Sequence, residues 1–231
     1  MAVENEDTVS ALDTAAALVI QWRATNSVPQ AAFGWPRQRW IRMFPEHEGA
    51  LQAMPDKLDR TSVRQVCLTA GTSSATAEQA FLAIMAWGFG TVGFGPFRTR
   101  RILASTPGAA SRLAKVIETL VAADAVTAYA RLASTGDCNL RYLGPAFGTK
   151  FLFFCQPDER KPRALVLDSL VAAWLKREGA ANYDPIPWST PTYRAYLDLM
   201  HGWASSLACD PEDLEYCIFQ SMATERGNQW G

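Results

Sequence analysis

A lysine and an aspartate, Lys150 and Asp168, are the residues best placed by type and spacing to do chemistry together. Asp168 follows the apolar run Ala164–Leu167 and begins a stretch with helical periodicity, and Lys150 lies eighteen residues earlier. That spacing accommodates one helix and one returning loop, so we expect the two side chains to face each other across the mouth of a cleft. There, a carboxylate stabilises developing positive charge, and an amine that sheds its proton is a nucleophile.

The stretch 139–154 (NLRYLGPAFGTKFLFF) predicts a helical hairpin around these residues. A helix is expected to end near Ser134, a short turn follows, and an apolar helix begins near Pro145. In a helix–hairpin–helix, backbone N–H groups at the glycines and at the second helix's N-terminus point at a DNA phosphate and position the duplex without reading its sequence. The alternative is an ordinary pair of helices in which Gly144 and Gly148 only permit close packing.

Residues 144–168 resemble the core of the helix-hairpin-helix DNA glycosylase superfamily. In that family a hairpin of the pattern L-P-G-x-G-x-K precedes an apolar run that ends in the catalytic aspartate. Pro145, Gly148 and Lys150 match the pattern, and Ala146 replaces its first glycine. A second alignment anchors the hairpin on 143–145 and moves the lysine one turn along the helix, so both alignments stay open. The resemblance implies DNA-backbone contacts at Gly144, Ala146, Gly148 and Thr149.

Three segments extend the resemblance to the 8-oxoguanine DNA glycosylase-like branch found in bacteria, which includes proteins of antiviral defence. They are 87–98, 144–154 and 193–219. The superfamily's four-cysteine iron–sulfur loop is absent, which fits this branch. The resemblance implies an all-α, two-lobe glycosylase-like fold with a central cleft. It also implies one unit over 1–231, with the helix-hairpin-helix core at about 124–178 and a lobe formed by the remaining N- and C-terminal helices.

The activity that this resemblance implies is excision of a modified base flipped out of double-stranded DNA. Cleavage of the N-glycosidic bond passes through an oxocarbenium-like state at C1′, where Asp168 stabilises the charge and orients the nucleophile. If the Lys150 amine attacks C1′, a Schiff base and lyase activity result. If water attacks, the product is an abasic site, and the sequence slightly favours water. The alternative role for Asp168 is that of a helix N-cap.

The glycine-rich segment 87–98 (WGFGTVGFGPFR) is a second candidate site. It holds four glycines within 88–96 and lacks the strand–helix context of a dinucleotide-binding loop. Its aromatic side chains stack on the extruded base, fill the gap that the base leaves in the duplex, or are buried in a tight turn, and these interpretations stay open. The predicted base pocket comprises Trp87, Phe89, Phe94 and Phe219. The predicted phosphate contacts, whose alternative is a solvated helix face, are Arg98, Arg100 and Arg101.

The distribution of charge favours a polyanionic partner although the net charge is only −1. Residues 98–115 carry five basic residues and no acidic one, whereas 198–225 carry six acids and no lysine or arginine. A basic middle flanked by acidic ends presents a positive face to a polyanion. The alternative is random variation over a solvated surface.

Helical periodicity runs through nearly the whole chain, and strands are predicted to be short at most. Helices are predicted over 8–23, 61–70, 107–122, 124–134 and 168–177. Further helices are predicted after a Thr76–Gln79 capping box, after Thr190-Pro191 and after Asp210-Pro211. Loops are predicted where proline or glycine is frequent, at 27–36, 45–55, 88–96 and 180–191.

Composition bounds the remaining classes of protein. With 231 residues, 48% of them hydrophobic, the chain folds around a sizeable core. Its five cysteines form no CxxC motif, so we expect no metal, iron–sulfur cluster or other cofactor. The apolar runs are too short to cross a bilayer and the first residues are acidic, so we expect a cytoplasmic protein. We also expect a monomer. Three alternatives stay open: an 8-oxoguanine-type repair glycosylase/lyase, a non-catalytic helix-hairpin-helix DNA-binding module and a purely structural helical protein.

Overall fold

Helices form nearly all the regular structure of the computed structural model, which describes residues 6–68, 73–158 and 162–227. Two short strands, β1 (Phe33–Gly34) and β2 (Lys57–Leu58), pair antiparallel. The α-helices within these ranges are α1 (Glu6–Ala24), α2 (Arg37–Met43), α3 (Glu48–Ala53), α4 (Arg60–Leu68), α5 (Ser74–Phe89), α6 (Gly95–Ala104), α7 (Ala109–Ala122), α8 (Ala125–Leu132), α9 (Pro145–Cys155), α10 (Ser169–Arg177), α11 (Thr190–Ser206) and α12 (Pro211–Glu225). The predicted all-α class is confirmed.

Side-chain caps fix where several helices begin. The hydroxyl of Ser73 accepts the N–H of Thr76 at the start of α5, and the hydroxyl of Ser189 accepts the N–H of Thr192 at the start of α11. The predicted capping box at Thr76 and the predicted cap at Thr190 are therefore wrong. In both cases the extended residue that precedes the helix is the serine, and its oxygen reaches the third amide of the first turn.

Two of the predicted loops contain helix. Within 45–55 a 3₁₀ turn at Pro45–His47 leads into α3, because a proline at the first helical position loses no hydrogen bond. Within 88–96, α5 continues through Phe89 to Gly90, whose φ of 53° ends the helix, and α6 begins at Gly95. The predicted end of the 61–70 helix lies outside the described residues.

The helices pack as two groups on either side of a cleft. In the central lobe, α5 packs against α4, α6, α7 and α9, and in the terminal lobe, α12 packs against α1, α10 and α11. Both α5 and α9 are apolar on nearly every face and are buried, as helices at the centre of a lobe must be. In the described part of the chain, no helix is long and apolar enough to cross a membrane.

Candidate active site

Lys150 and Asp168 meet at the boundary between the two lobes. Lys150 Nζ lies 3.2 Å from Asp168 Oδ2, and each side chain is 12% exposed. Lys150 lies in the second turn of α9, and Asp168 is the N-cap of α10. The loop that returns from α9 to α10 therefore brings together the amine and the carboxylate that the eighteen-residue spacing places on opposite sides of a cleft mouth.

The two oxygens of Asp168 have different partners. Oδ1 accepts the backbone N–H groups of Leu170 at 3.0 Å and Val171 at 3.2 Å, which caps α10. Oδ2 is left for the Lys150 ammonium. The two roles proposed for this residue from the sequence are therefore compatible, because the cap holds one oxygen and thereby fixes the direction of the other.

The extended segment that leads into Asp168 is held by hydroxyl groups, since no strand within the described ranges pairs with its backbone. Tyr193 donates its hydroxyl to the carbonyl of Leu165 at 3.0 Å, and Tyr196 donates to the carbonyl of Val166 at 2.8 Å. Burial raises the pKa of both phenols well above its usual value, so both remain protonated donors. These two bonds fix the segment against α11 immediately before the catalytic candidate.

A cavity of about 250 Å³ opens beside the Lys150–Asp168 pair, between the lobes. For comparison, a cavity of about 150 Å³ accommodates benzene. Its walls include the aromatic side chains of Trp87 from α5 and Phe219 from α12. Its size and its two aromatic walls suit one planar heterocycle, with the amine and carboxylate at one side.

A buried ion pair that the sequence analysis missed forms another wall of the cavity. Arg60 Nη1 lies 2.8 Å from Glu215 Oε2, and the side chain of Glu215 is 0% exposed. The guanidinium also lies over the rings of Phe153 and Tyr216, at 5.3 and 5.2 Å from their centroids. Burial raises the pKa of Glu215, and the positive charge of Arg60 opposes that rise. The sequence signal was slight: a lone acid within the apolar helical stretch LEYCIF.

The protein family that has this arrangement follows from a comparison with known families. Residues 26–219 match the sequence profile of a family described as "Putative 8-oxoguanine DNA glycosylase OGG-like protein". The chain belongs to this OGG-like family. The match spans both lobes and includes Lys150, Asp168 and Glu215. No curated protein and no solved structure matches the chain.

Not all the aromatic residues predicted for the base pocket of this OGG-like protein lie there. Trp87 and Phe219 line the cavity, whereas Phe89 and Phe94 do not. Because α5 continues through Phe89, that ring packs on Phe147 of α9, 4.7 Å between centroids. Phe94 is the N-cap residue of α6 and is 52% exposed at the surface. The prediction for these two residues is corrected accordingly.

The hairpin glycines divide between the surface and the interior. Gly144 is the exposed N-cap of α9, where an added Cβ would meet nothing within 4 Å. Gly148 is buried against the indole of Trp188, and Thr149 is fully buried, with its hydroxyl accepting the N–H of Leu167 at 3.1 Å. Gly148 and Thr149 are therefore packing residues, which corrects their predicted role as DNA contacts. Gly144 and the half-buried Ala146 remain available at the helix start.

The three predicted phosphate-binding arginines also differ. Arg98 and Arg101 are exposed on one face of α6, whereas Arg100 is paired with Glu46 at 2.6 Å and covers Phe44. Arg100 is therefore less available to a phosphate than the other two arginines, and its phosphate contact stays a prediction. Arg101 lies 3.8 Å from the ring centroid of Tyr142, an exposed hairpin residue that the sequence analysis did not select.

Tyr142 connects α6 to the hairpin. Its φ of 68° is left-handed, which turns its ring outward between Arg101 and Arg141, the second at 4.9 Å. The hydrogen bond from Arg101 lowers the pKa of the Tyr142 hydroxyl. The face formed by Arg98, Arg101, Arg141, Tyr142 and Gly144 is called the hairpin face below.

Metal ligation has no candidate in the described ranges. There, no group of three or more histidine, cysteine, aspartate or glutamate side chains is arranged to hold a metal ion. The five cysteines, all within those ranges, are free thiols.

Proposed function

We propose that this OGG-like protein is a DNA glycosylase that excises a modified base from double-stranded DNA. The observation that carries the proposal is the Lys150–Asp168 pair at the edge of an aromatic-walled cavity between two lobes. A base flipped out of the duplex would enter the cavity and place its C1′ beside the amine and the carboxylate. Membership in the OGG-like family supports the same reaction.

Asp168 is the proposed charge-stabilising group. As the N-glycosidic bond breaks, positive charge develops at C1′, and a fixed carboxylate nearby lowers the energy of that state. The cap on Oδ1 holds the carboxylate in place before the substrate arrives. Oδ2 therefore needs little reorganisation during the reaction.

Lys150 is the proposed nucleophile. Its ammonium has to lose a proton before it can attack C1′, and Asp168 Oδ2, 3.2 Å away, is placed to accept it. Attack forms a C1′–N bond while the bond to the base breaks, and the proton that Asp168 took from Lys150 passes to the departing base, which restores the charge-stabilising carboxylate. Both hairpin alignments allow Lys150 to contact Asp168, so the contact does not decide between them. We propose the amine rather than water, the reverse of the slight preference drawn from the sequence, because its nitrogen lies beside the carboxylate at the edge of the cavity.

The hairpin face is the proposed contact with the duplex. Arg98 and Arg101 supply positive charge beside the hairpin, and the exposed start of α9 at Gly144 offers backbone N–H groups to a phosphate. Two substrates are candidates. Resemblance to the defence proteins of the branch favours phage DNA that contains modified bases. The family description favours DNA that contains oxidised guanine, which the protein would repair.

Mass spectrometry of released bases tests the proposal. Wild type and Asp168→Asn are incubated with a duplex holding one 8-oxoguanine and with phage DNA whose cytosines are modified, and free bases and abasic sites are quantified. The expected result is release from at least one DNA by wild type and a loss of at least a hundredfold in the variant. Salt-sensitive binding with no base released would instead identify a non-catalytic DNA-binding module.

A further inference from the structure

Hydrogen-bonding groups without partners are concentrated around the cavity. In the described part of the chain, eight buried side-chain nitrogen or oxygen atoms lack a hydrogen-bond partner. Four of them belong to residues that line this cavity: Gln30 Oε1, Arg60 Nε, Trp87 Nε1 and Glu215 Oε1. Buried polar atoms are nearly always paired in folded proteins, so a polar ligand that enters the cavity and supplies the missing partners accounts for these four groups.

The Arg60–Glu215 pair is incomplete as a purely structural contact. A guanidinium can bind both oxygens of a carboxylate with two parallel N–H donors. Here Arg60 Nη1 binds only Oε2 of Glu215, at 2.8 Å, and Oε1 is left without a donor although the side chain is 0% exposed. Leaving a buried carboxylate oxygen unpaired is costly, so a structural link between α4 and α12 does not account for the geometry.

We infer that Glu215 selects the extruded base by accepting an N–H group with Oε1, while Arg60 holds Oε2. An ionised carboxylate can only accept hydrogen bonds. A base that presents an amino group to Glu215 Oε1 donates the hydrogen bond that this oxygen lacks. A base that presents a carbonyl oxygen there places two hydrogen-bond acceptors against each other, which is unfavourable. The cavity therefore selects amino-bearing bases over their carbonyl counterparts. This inference rests on the proposed glycosylase function and adds its substrate class.

Two modified pyrimidines of nearly the same size separate these cases. 5-Hydroxymethylcytosine carries an amino group at C4, and 5-hydroxymethyluracil carries a carbonyl there. Duplexes that hold one or the other are given to wild type, to Glu215→Gln and to Glu225→Gln. Glu225 makes the control, because it lies on the same helix, is half exposed, pairs with Arg177 and does not line the cavity.

Single-turnover release and equilibrium binding are both measured. Binding is measured by fluorescence anisotropy in an Asp168→Asn background, so that no base is lost. Wild type and Glu225→Gln are expected to prefer the amino base by about tenfold or more. Because the glutamine amide both donates and accepts, Glu215→Gln is expected to reduce that preference to within about twofold. Unchanged melting temperatures confirm that the nearly isosteric variant is folded.

The outcomes separate the inference from the function it rests on. An unchanged amino-to-carbonyl ratio in Glu215→Gln, or a wild-type preference for the carbonyl base, overturns the role of Glu215 while leaving the glycosylase intact. If wild type releases no base from any DNA, the proposed function fails, and the ratio of binding constants still decides whether Glu215 distinguishes the two bases.

Discussion

Lys150 and Asp168 are joined through only one carboxylate oxygen. Lys150 Nζ contacts Oδ2 at 3.2 Å, while Oδ1 accepts two backbone N–H groups at the start of α10. The structural and chemical roles of the aspartate therefore belong to different atoms of one side chain. Substitutions that keep Oδ1 but remove the negative charge can separate them.

Asp168→Asn and Asp168→Ala are expected to differ in stability but not in activity. Asparagine still caps a helix, whereas alanine loses the cap at a cost of about 1 kcal/mol. Both remove the charge, so both are expected to lose base release. Urea unfolding followed by circular dichroism measures the free energy of unfolding of each variant. Equal stability of the two would show that the cap contributes nothing, and release by Asp168→Asn would remove the carboxylate from the mechanism.

Lys150→Gln is expected to abolish covalent trapping. If the amine attacks C1′, borohydride reduces the Schiff base and leaves a protein–DNA adduct that migrates slowly on a denaturing gel. The matched control is Lys176→Gln, an exposed lysine near the C-terminal end of α10 that does not line the cavity. Adduct formation by Lys150→Gln would show that another amine is the nucleophile, and base release by it at the wild-type rate without an adduct would show that water is.

The Lys150–Asp168 pairing was predictable because the spacing and the hairpin pattern are local in sequence. The Arg60–Glu215 pair was not, since its members lie 155 positions apart and meet only when α4 and α12 pack on the same cleft. The hairpin glycines show a different limit. A glycine required for packing and a glycine that frees a backbone N–H for phosphate look alike in sequence, and only the neighbouring Trp188 distinguishes Gly148.

Gly148→Ala and Gly144→Ala are expected to have different effects. A methyl group at Gly148 would overlap the Trp188 indole, which has to shift, and such overpacking costs about 1–3 kcal/mol. A methyl group at Gly144 meets no neighbour, so only the poorer N-cap reduces stability, by about 0.5 kcal/mol. Thermal unfolding and tryptophan fluorescence measure both effects. Equal melting temperatures would contradict the packing role of Gly148.

The N-cap of α8 is expected to make stability depend on acid pH. Asp124 accepts the Thr127 N–H at 2.8 Å, and this bond lowers the pKa of Asp124 below 3.8. Its contribution is therefore complete above the unfolded-state pKa and is lost as the pH falls through the lowered folded-state value. Asp124→Ala is expected to be about 1 kcal/mol less stable than wild type at pH 7, with a smaller difference at pH 3. Asp124→Asn keeps a cap that has no titrating charge. The difference in unfolding free energy between Asp124→Asn and Asp124→Ala is therefore expected to be the same at pH 7 and pH 3, and a pH-dependent difference would contradict this account.

Substitutions on the hairpin face are expected to change the salt dependence of DNA binding. The DNA-binding constant K falls as salt rises, and each phosphate contact that is lost makes the slope of log K against log salt shallower by about 0.9. Arg98→Gln and Arg101→Gln are each expected to make it shallower by that amount. Arg100→Gln is expected to change the slope less, because Arg100 is already paired with Glu46, with Nη1 2.6 Å from Oε1. Binding of an unmodified duplex at several salt concentrations measures the slopes, and Lys176→Gln serves as the remote control. If all three arginine variants reduce the slope by the same amount, the duplex lies along α6 as a whole, and if none reduces it, α6 does not contact the duplex. Either result contradicts contact by the outer face alone.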